Sequence, residues 1–147
     1  MKSFKKILVP VDFSKHSDEA VQTASDIAKR YGATLTLLHV YEPVAYALPE
    51  GYVLYTADQL TQLLAEFEKS LAKAKSDALA TGVSAVDARQ VDGIAHHEIT
   101  ELARKENYDL IVMGTHGRRG LNRLMMGSVA EKVLRNAPCP VLSVHAN

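Results

Sequence analysis

The chain of 147 residues is long enough for one domain with a buried core, since 47% of its residues are hydrophobic. Its 17 Lys and Arg residues balance 17 Asp and Glu residues, so no net charge attracts it to nucleic acid or to an anionic membrane. No apolar run is long enough to span a bilayer, and we expect neither a signal peptide nor a membrane partner.

Apolar segments that alternate with helical patterns predict an α/β protein. The first segment, residues 4–11, has Ile, Leu and Val in succession, which is typical of a strand covered on both faces. Pro10 belongs near the end of this strand because it lacks an amide proton. The predicted strands, in chain order, are residues 4–11, 33–41, 85–92, 109–113 and 139–145. Strands separated by helices favour an open parallel sheet with right-handed crossovers and helices on both faces.

Helical periodicity predicts the segments between these strands. The helices are expected from Ser14 or Ser17 to Gly32, over residues 57–81, over residues 94–107, and from Ser128 onward. Residues 42–56 form a long connection that contains several tyrosines and prolines. Its composition predicts an irregular flap rather than a regular element.

The expected ligand position lies at the carboxyl ends of the strands. In open parallel sheets, ligands bind beyond these ends, at the point where the strand order reverses. The two most apolar strands, 4–11 and 109–113, are the expected central neighbours. Asp12 and Gly114 follow them and are therefore expected at the same edge of the sheet.

A glycine-rich loop follows the strand at residues 109–113. Its glycines are Gly114, Gly117, Gly120 and Gly127. Ser128 and Glu131 have the spacing of a capping box, which predicts that a helix begins at Ser128. Loop amides and the positive end of a helix dipole favour an anion, most naturally phosphate. The Walker pattern fails because Gly127 precedes Ser128 where a lysine is needed, and the dinucleotide fingerprint fails because no glycine lies two residues before Gly114.

The spacing that does fit is Gly, two residues, Gly, nine residues, Gly-Ser, over Gly114, Gly117, Gly127 and Ser128. It resembles the ATP-binding signature of the universal stress protein family. The resemblance extends over nearly the whole chain, through the blocks KKILVPVDFS, LLHV, DLIVMGTHG, GSVAEKVL and APCPVLSV. It implies a Rossmann-like five-stranded sheet of order 3-2-1-4-5, with residues 1–147 forming a single universal stress protein domain.

The resemblance also implies that the protein binds ATP, together with magnesium. The residues expected at the nucleotide are Pro10, Val11, Asp12, Ser14, Val40, Met113, Gly114, His116, Gly117, Gly127, Ser128 and Val129. Met113 and Gly114 would supply backbone near the ribose. The glycines and the start of the fourth helix would surround the triphosphate, where a Cβ would block the approach of phosphate.

Several of these residues also have a purely structural interpretation. Asp12 is expected to accept from ribose hydroxyls or to hold magnesium through water, and the alternative is an Asx-type cap on the first helix. Val11 and Val40 are expected to frame adenine, although both also suit core packing. The arginines of the loop, Arg118, Arg119 and Arg123, either reach a γ-phosphate or remain solvated.

The histidines and the cysteine do not predict catalytic or metal chemistry. His16, His39 and His116 are far apart in sequence and lack a carboxylate at a helical ligand spacing, so structural or surface roles are expected. His116 is the exception, because it lies inside the glycine-rich loop and is expected near phosphate. Cys139 has no CxxC partner and cannot form an internal disulfide, which favours a buried thiol in a reducing compartment, the cytoplasm.

The sequence therefore predicts an ATP-binding module that senses or regulates a stress response. It is expected to form a homodimer through residues 139–145, a short apolar strand at a sheet edge. One alternative is an enzyme that slowly hydrolyses ATP or transfers a nucleotidyl group, for which Asp12 and His116 are the candidate bases. Another is a binding module that holds AMP or a different adenosine compound.

Overall fold

The computed structural model describes residues 3–42, 46–48, 51–53, 55–116 and 126–147. Its strands are β1 (Lys6–Pro10), β2 (Thr34–Tyr41), β3 (Tyr46–Leu48), β4 (Gly51–Val53), β5 (Val86–Asp92), β6 (Leu110–Gly114) and β7 (Val141–Val144). Its helices are α1 (Lys15–Tyr31), α2 (Ala57–Ala80), α3 (Ala95–Lys105) and α4 (Ser128–Asn136). None of the helices in the described ranges is long and apolar enough to cross a membrane.

Five of the strands form one parallel sheet in the order β5-β2-β1-β6-β7. Counted by the predicted strands alone, this is the order 3-2-1-4-5, so the expected fold class is confirmed. β1 lies at the centre because it pairs on one side with β2, where Lys6 is opposite Thr34, and on the other with β6, where Ile7 is opposite Leu110. The strand order reverses at this central strand.

Helices cover both faces of the sheet. α1 and α2 pack on one face over Ile7, Val9 and Leu37, while α3 and α4 pack on the other face over Leu8 and Ile111. Ile7, Leu8 and Val9 are fully buried, as the continuous apolar run of β1 predicted. In the described part of the chain, both faces of the sheet are thus covered by helices.

Residues 42–56 are not entirely irregular, so that prediction is wrong in part. Within this connection β3 and β4 form an antiparallel pair in which Tyr46 is opposite Val53. Tyr and Val favour extended backbone, and antiparallel strands can be joined by a very short connection. Strands of three residues are too short for an alternation of apolar and polar residues to be recognised in the sequence.

The predicted capping box of the fourth helix is also wrong. Gly127 is the N-cap residue of α4, with φ −62° and ψ 154°, and Ser128 is already the first helical residue. A serine side chain caps only from the N-cap position, where the backbone is not helical. Since Gly127 occupies that position, no side chain among the described residues caps the first amides of α4.

The turn between β1 and α1 contains a strained residue. Phe13 has φ 64°, in the left-handed region that is costly for residues with a Cβ. Its ring lies 4.8 Å from that of His39 and 6.1 Å from that of Phe67, measured between centroids. Ring packing against β2 and α2 therefore offsets the backbone strain.

We expect the Phe13→Gly variant to be more stable than Phe13→Ala by about 1 kcal/mol. Both changes remove the ring, and only glycine also removes the strain at φ 64°. Urea unfolding of the two variants measures the difference, with the unsubstituted protein as reference. An alanine variant as stable as the glycine variant would show that the turn is not strained.

Candidate functional site

The carboxyl end of β1 lies at the switch point of the sheet, where open parallel sheets form a crevice between the neighbouring strands. The β1–β2 pairing ends at Pro10 opposite Leu38, whereas β2 continues to Tyr41. On the other side, β6 continues to Gly114, past the last residue paired with β1, Ile111. Because β1 ends before both neighbours, the switch point of the sheet has two strand ends facing a gap.

Asp12 follows the end of β1 at this crevice, and Ser14 holds its carboxylate. Its Oδ1 accepts from the Ser14 amide at 3.0 Å and from the Ser14 hydroxyl at 2.5 Å. Ser14 is the N-cap of α1, and its Oγ accepts from the Ser17 amide at 3.3 Å. The structural interpretation of Asp12, an Asx-type turn at the start of the first helix, is therefore present in the structure. The same contacts fix the carboxylate in one orientation.

Val40 presents backbone groups to the crevice. The Leu38 carbonyl accepts from the Val11 amide at 2.9 Å, so even-numbered residues of β2 direct their polar backbone groups toward β1. The Tyr41 carbonyl accepts from the Gly93 amide instead, on the β5 side. The backbone polar groups of successive residues point to alternate sides of a strand, so the N–H and C=O of Val40 point to the β1 side. The last residue pair between β1 and β2 is Pro10 opposite Leu38, so Val40 lies beyond the paired region.

The side chains of Val11 and Val40 lie on opposite faces of the sheet. Val11 packs into the core beneath α1 and α2, and half-buried Val40 packs against the core beneath α3 and α4. Pro10 is buried at the end of β1. What these residues bring to the crevice together is therefore backbone, and the two valine side chains do not form a shared wall.

Gly114 is required by the packing of α1 on β6. A Cβ at Gly114 would lie 2.7 Å from the Cβ of His16 and 2.9 Å from its backbone carbon. No side chain fits without moving the helix. Met113, just before it, is buried in the core beneath α3 and α4. The first glycine of the motif thus has a structural role that needs no ligand.

The amino-terminal end of α4 has the geometry of an anion-binding site. The Gly127 amide donates to the Thr115 carbonyl at 2.7 Å, and the helix ladder begins with the Glu131 amide donating to the Gly127 carbonyl. The amides of Ser128, Val129 and Ala130 precede that first ladder bond, and Ser128 and Val129 are exposed. Helix amides of this kind, at the positive end of the dipole, favour anions. Gly117, Gly120 and the loop arginines Arg118, Arg119 and Arg123 lie outside the described residues.

His116 is buried beside two other histidines, an arrangement that sequence reasoning missed. Its ring centroid lies 5.3 Å from that of His16 and 5.6 Å from that of His145. Burial, and then the nearby charges of His145 and His116, lower the pKa of His16, and Asp12 opposes this shift. Each of the three histidines follows the carboxyl end of one of three adjacent strands, β1, β6 and β7. Combined with the strand order, this placement in the sequence could have predicted the cluster.

Comparisons with known proteins agree with this architecture. The sequence model of the Universal stress protein family matches residues 3–145. A universal stress protein of Methanocaldococcus jannaschii is 40% identical over 144 residues, which cover 96% of this chain and 82% of that protein. The structure of universal stress protein UspA from Lactobacillus plantarum superposes with a TM-score of 0.83 at 30% identity, covering 98% of this chain and 99% of that one. A universal stress protein solved in complex with cAMP matches with a TM-score of 0.75 at 27% identity, covering 99% of this chain and 100% of that one. The chain belongs to the universal stress protein family.

Proposed function

We propose that the protein binds ATP, with magnesium, in the crevice beyond β1 and that it acts as a nucleotide-dependent module of the stress response. The observation that carries this proposal is the start of α4, which no described side chain caps, at the carboxyl end of the sheet where the strand order reverses. The complex of a related universal stress protein with cAMP supports an adenine nucleotide as the ligand class.

The backbone of Val40 suits the edge of a purine. Adenine offers an N6 amino donor beside ring-nitrogen acceptors. The Val40 carbonyl would accept from the amino group, and the Val40 amide would donate to a ring nitrogen. Both groups point into the gap that opens where β1 stops pairing with β2. Recognition through backbone also explains why the two valine side chains need not share a face.

The phosphates would bind at the start of α4. The amides of Ser128, Val129 and Ala130 supply donors there, and the helix dipole adds a favourable potential. The amide of Gly127 is already bonded to Thr115, so this glycine would contribute by the absence of a side chain rather than by its N–H.

Asp12 would lie near the sugar and the metal. Its carboxylate is oriented by Ser14, which leaves it suited to accept from a ribose hydroxyl or from water in the shell of a magnesium ion. Magnesium keeps several waters and takes oxygen ligands, so one carboxylate together with phosphate oxygens is a normal set for it. The ion would neutralise phosphate charge. Met113 and Gly114 would contribute backbone at the end of β6.

The edge of the sheet formed by β7 suits a second copy of the chain. β7 is the terminal strand of the five-stranded order, and Leu142 on it is 38% exposed. An apolar edge strand pairs readily with another strand. We propose a homodimer in which two β7 strands meet about a two-fold axis, which satisfies both edges at once.

The Gly127→Val variant is expected to lower ATP affinity by at least about tenfold, because a branched side chain would occupy the approach of the phosphates. Its backbone angles, φ −62° and ψ 154°, are favourable for valine, so the variant should fold. Ser128→Ala is the matched control and should change affinity much less, since the amide remains. Calorimetry measures both, and unaltered affinity in a folded Gly127→Val protein would contradict the assigned phosphate site.

ATP hydrolysis, if present, is expected to be slow, far below the typical enzyme turnover of about 10 per second. Amides at a helix start bind the ground state and the transition state alike, which does not raise turnover. Of the two candidate bases, Asp12 is held by Ser14, and the His116 Nδ1 contacts Thr115. A steady-state phosphate-release assay decides the matter. Turnover near the typical value would favour the enzyme alternative over the regulatory module.

Leu142→Lys is expected to convert the dimer to a monomer, since it places a charge in each copy of the paired edge. Leu79→Lys on α2 is a matched control, because Leu79 is 42% exposed and lies far from β7 in the sheet order. Light scattering should give twice 16.1 kDa for the unsubstituted protein and for the control. A monomeric mass for the unsubstituted protein at micromolar concentration would rule out the proposed interface.

A further inference from the structure

Three histidines from separate junctions of the fold converge beside the crevice. His16 is in the first turn of α1, His116 follows β6, and His145 follows β7. The His16 ring centroid lies 5.3 Å from that of His116 and 5.2 Å from that of His145. One potential ligand nitrogen from each ring lies within 4.8 Å of the other two.

This spacing is close to that of a metal centre with three imidazole ligands. Tetrahedral zinc has Zn–N distances of about 2.0–2.1 Å, which places ligand nitrogens roughly 3.4 Å apart. The rings would therefore have to approach one another by about an ångström or somewhat more. His145 is exposed and lies just after the end of β7, so its ring has room to move inward.

Thr115 orients two of the rings for coordination. Its Oγ donates to the Val144 carbonyl at 3.3 Å and also lies 3.1 Å from the Nδ1 of His116 and 3.2 Å from the Nδ1 of His145. A hydroxyl has one proton to donate, and here the Val144 carbonyl takes it. With the hydroxyl proton on the Val144 carbonyl, the tautomer that satisfies both contacts carries its hydrogen on Nδ1 and leaves the lone pair on Nε2. Metal-binding histidines are typically fixed in this way by a partner on the second ring nitrogen.

His116 provides an independent sign that a ligand belongs here. The residue is only 8% exposed, and its Nε2 is buried without a hydrogen-bond partner in the described part of the chain. Buried polar atoms are normally satisfied, so an unpaired nitrogen beside two other imidazoles requires an explanation. A cation bound between the three rings would supply the missing partner.

We infer that His16, His116 and His145 form a binding site for a divalent transition-metal ion, best matched by Zn²⁺, with a fourth position open to water. Imidazole ligands suit zinc and its neighbours in the transition series, whereas magnesium prefers oxygen ligands. The site is thus chemically distinct from the proposed magnesium at Asp12. It goes beyond the proposed function and does not depend on nucleotide binding.

Coordination by His16 has a structural consequence. The Nδ1 of His16 accepts from the Ala146 amide at 3.0 Å, so the neutral ring carries its hydrogen on Nε2. Binding a metal through Nε2 moves that hydrogen to Nδ1 and breaks the bond to Ala146. Metal binding is therefore coupled to the position of the segment that follows β7, and the Ala146 amide resonance should shift when the ion binds.

The test titrates the full chain, free of nucleotide, with Co²⁺, whose visible absorption reports its coordination number, and then with Zn²⁺ as competitor. We expect one Co²⁺ per chain with the intense absorption of a four-coordinate site, displaced by an equivalent of Zn²⁺. His116→Gln and His145→Gln should each lower Zn²⁺ affinity by about 100-fold or more, and Thr115→Val by roughly 10–100-fold, with Thr115→Ser restoring it. His97→Gln is the matched control, since His97 is exposed on α3 and outside the cluster.

The outcomes separate this site from the nucleotide site. Circular dichroism shows whether each variant is folded. If His116→Gln unfolds, His145→Gln still tests the site, because His145 is exposed and its replacement should not disturb the core. Absence of four-coordinate Co²⁺, equal affinity in His145→Gln and His97→Gln, or binding of inorganic phosphate in place of metal would overturn the inference. ATP calorimetry is carried out on the metal-free His145→Gln variant, because His145 is not among the residues expected at the nucleotide. Retained ATP binding with lost metal binding supports two distinct sites, and retained metal binding in Gly127→Val does the same.

Discussion

Pairing of β1 with both β2 and β6 is the constraint on which the rest of the structure depends. The chain adds β2 and β5 on one side of β1 and later adds β6 and β7 on the other side, so the strand order reverses at β1. β1 also ends at Pro10, before the ends of β2 at Tyr41 and of β6 at Gly114 in the register of the sheet. The crevice, the backbone groups of Val40 and the turn at Asp12 all follow from those two facts.

Close packing of α1 against β6 determines what faces that crevice. Gly114 permits the approach, since any Cβ there would meet His16 within 3 Å. The same contact brings His16 to His116, while the parallel pairing of β6 with β7 carries His145 to the same edge. One glycine thus serves helix packing and the assembly of the histidine cluster together. Phe13, with its left-handed backbone, is the strained link that makes the short turn into α1 possible.

Much of the fold could be predicted from local patterns, and the site only in part. The apolar runs around Ile7 and Ile111 predict buried central strands because both faces of a parallel strand are covered. Their apolar content also predicts them as central neighbours, whereas the full order 3-2-1-4-5 rests on the family resemblance, since periodicity carries no information on the order of the other strands. Ser128 and Glu131 have the spacing of a capping box, yet Gly127 occupies the N-cap position of α4. The histidine cluster joins residues up to 129 positions apart, His16 and His145, and no local pattern encodes that convergence.

In the proposed nucleotide complex, adenine lies on the backbone of Val40 and the phosphates lie on the first amides of α4. The most direct measurement is an amide NMR titration of the isotope-labelled protein with ATP. We expect saturable shifts for the amides of Val40, Ser128 and Val129, with the amide of Gly32 at the opposite end of α1 unaffected. ATP binding that leaves the Val40 and α4 resonances unchanged would contradict the account.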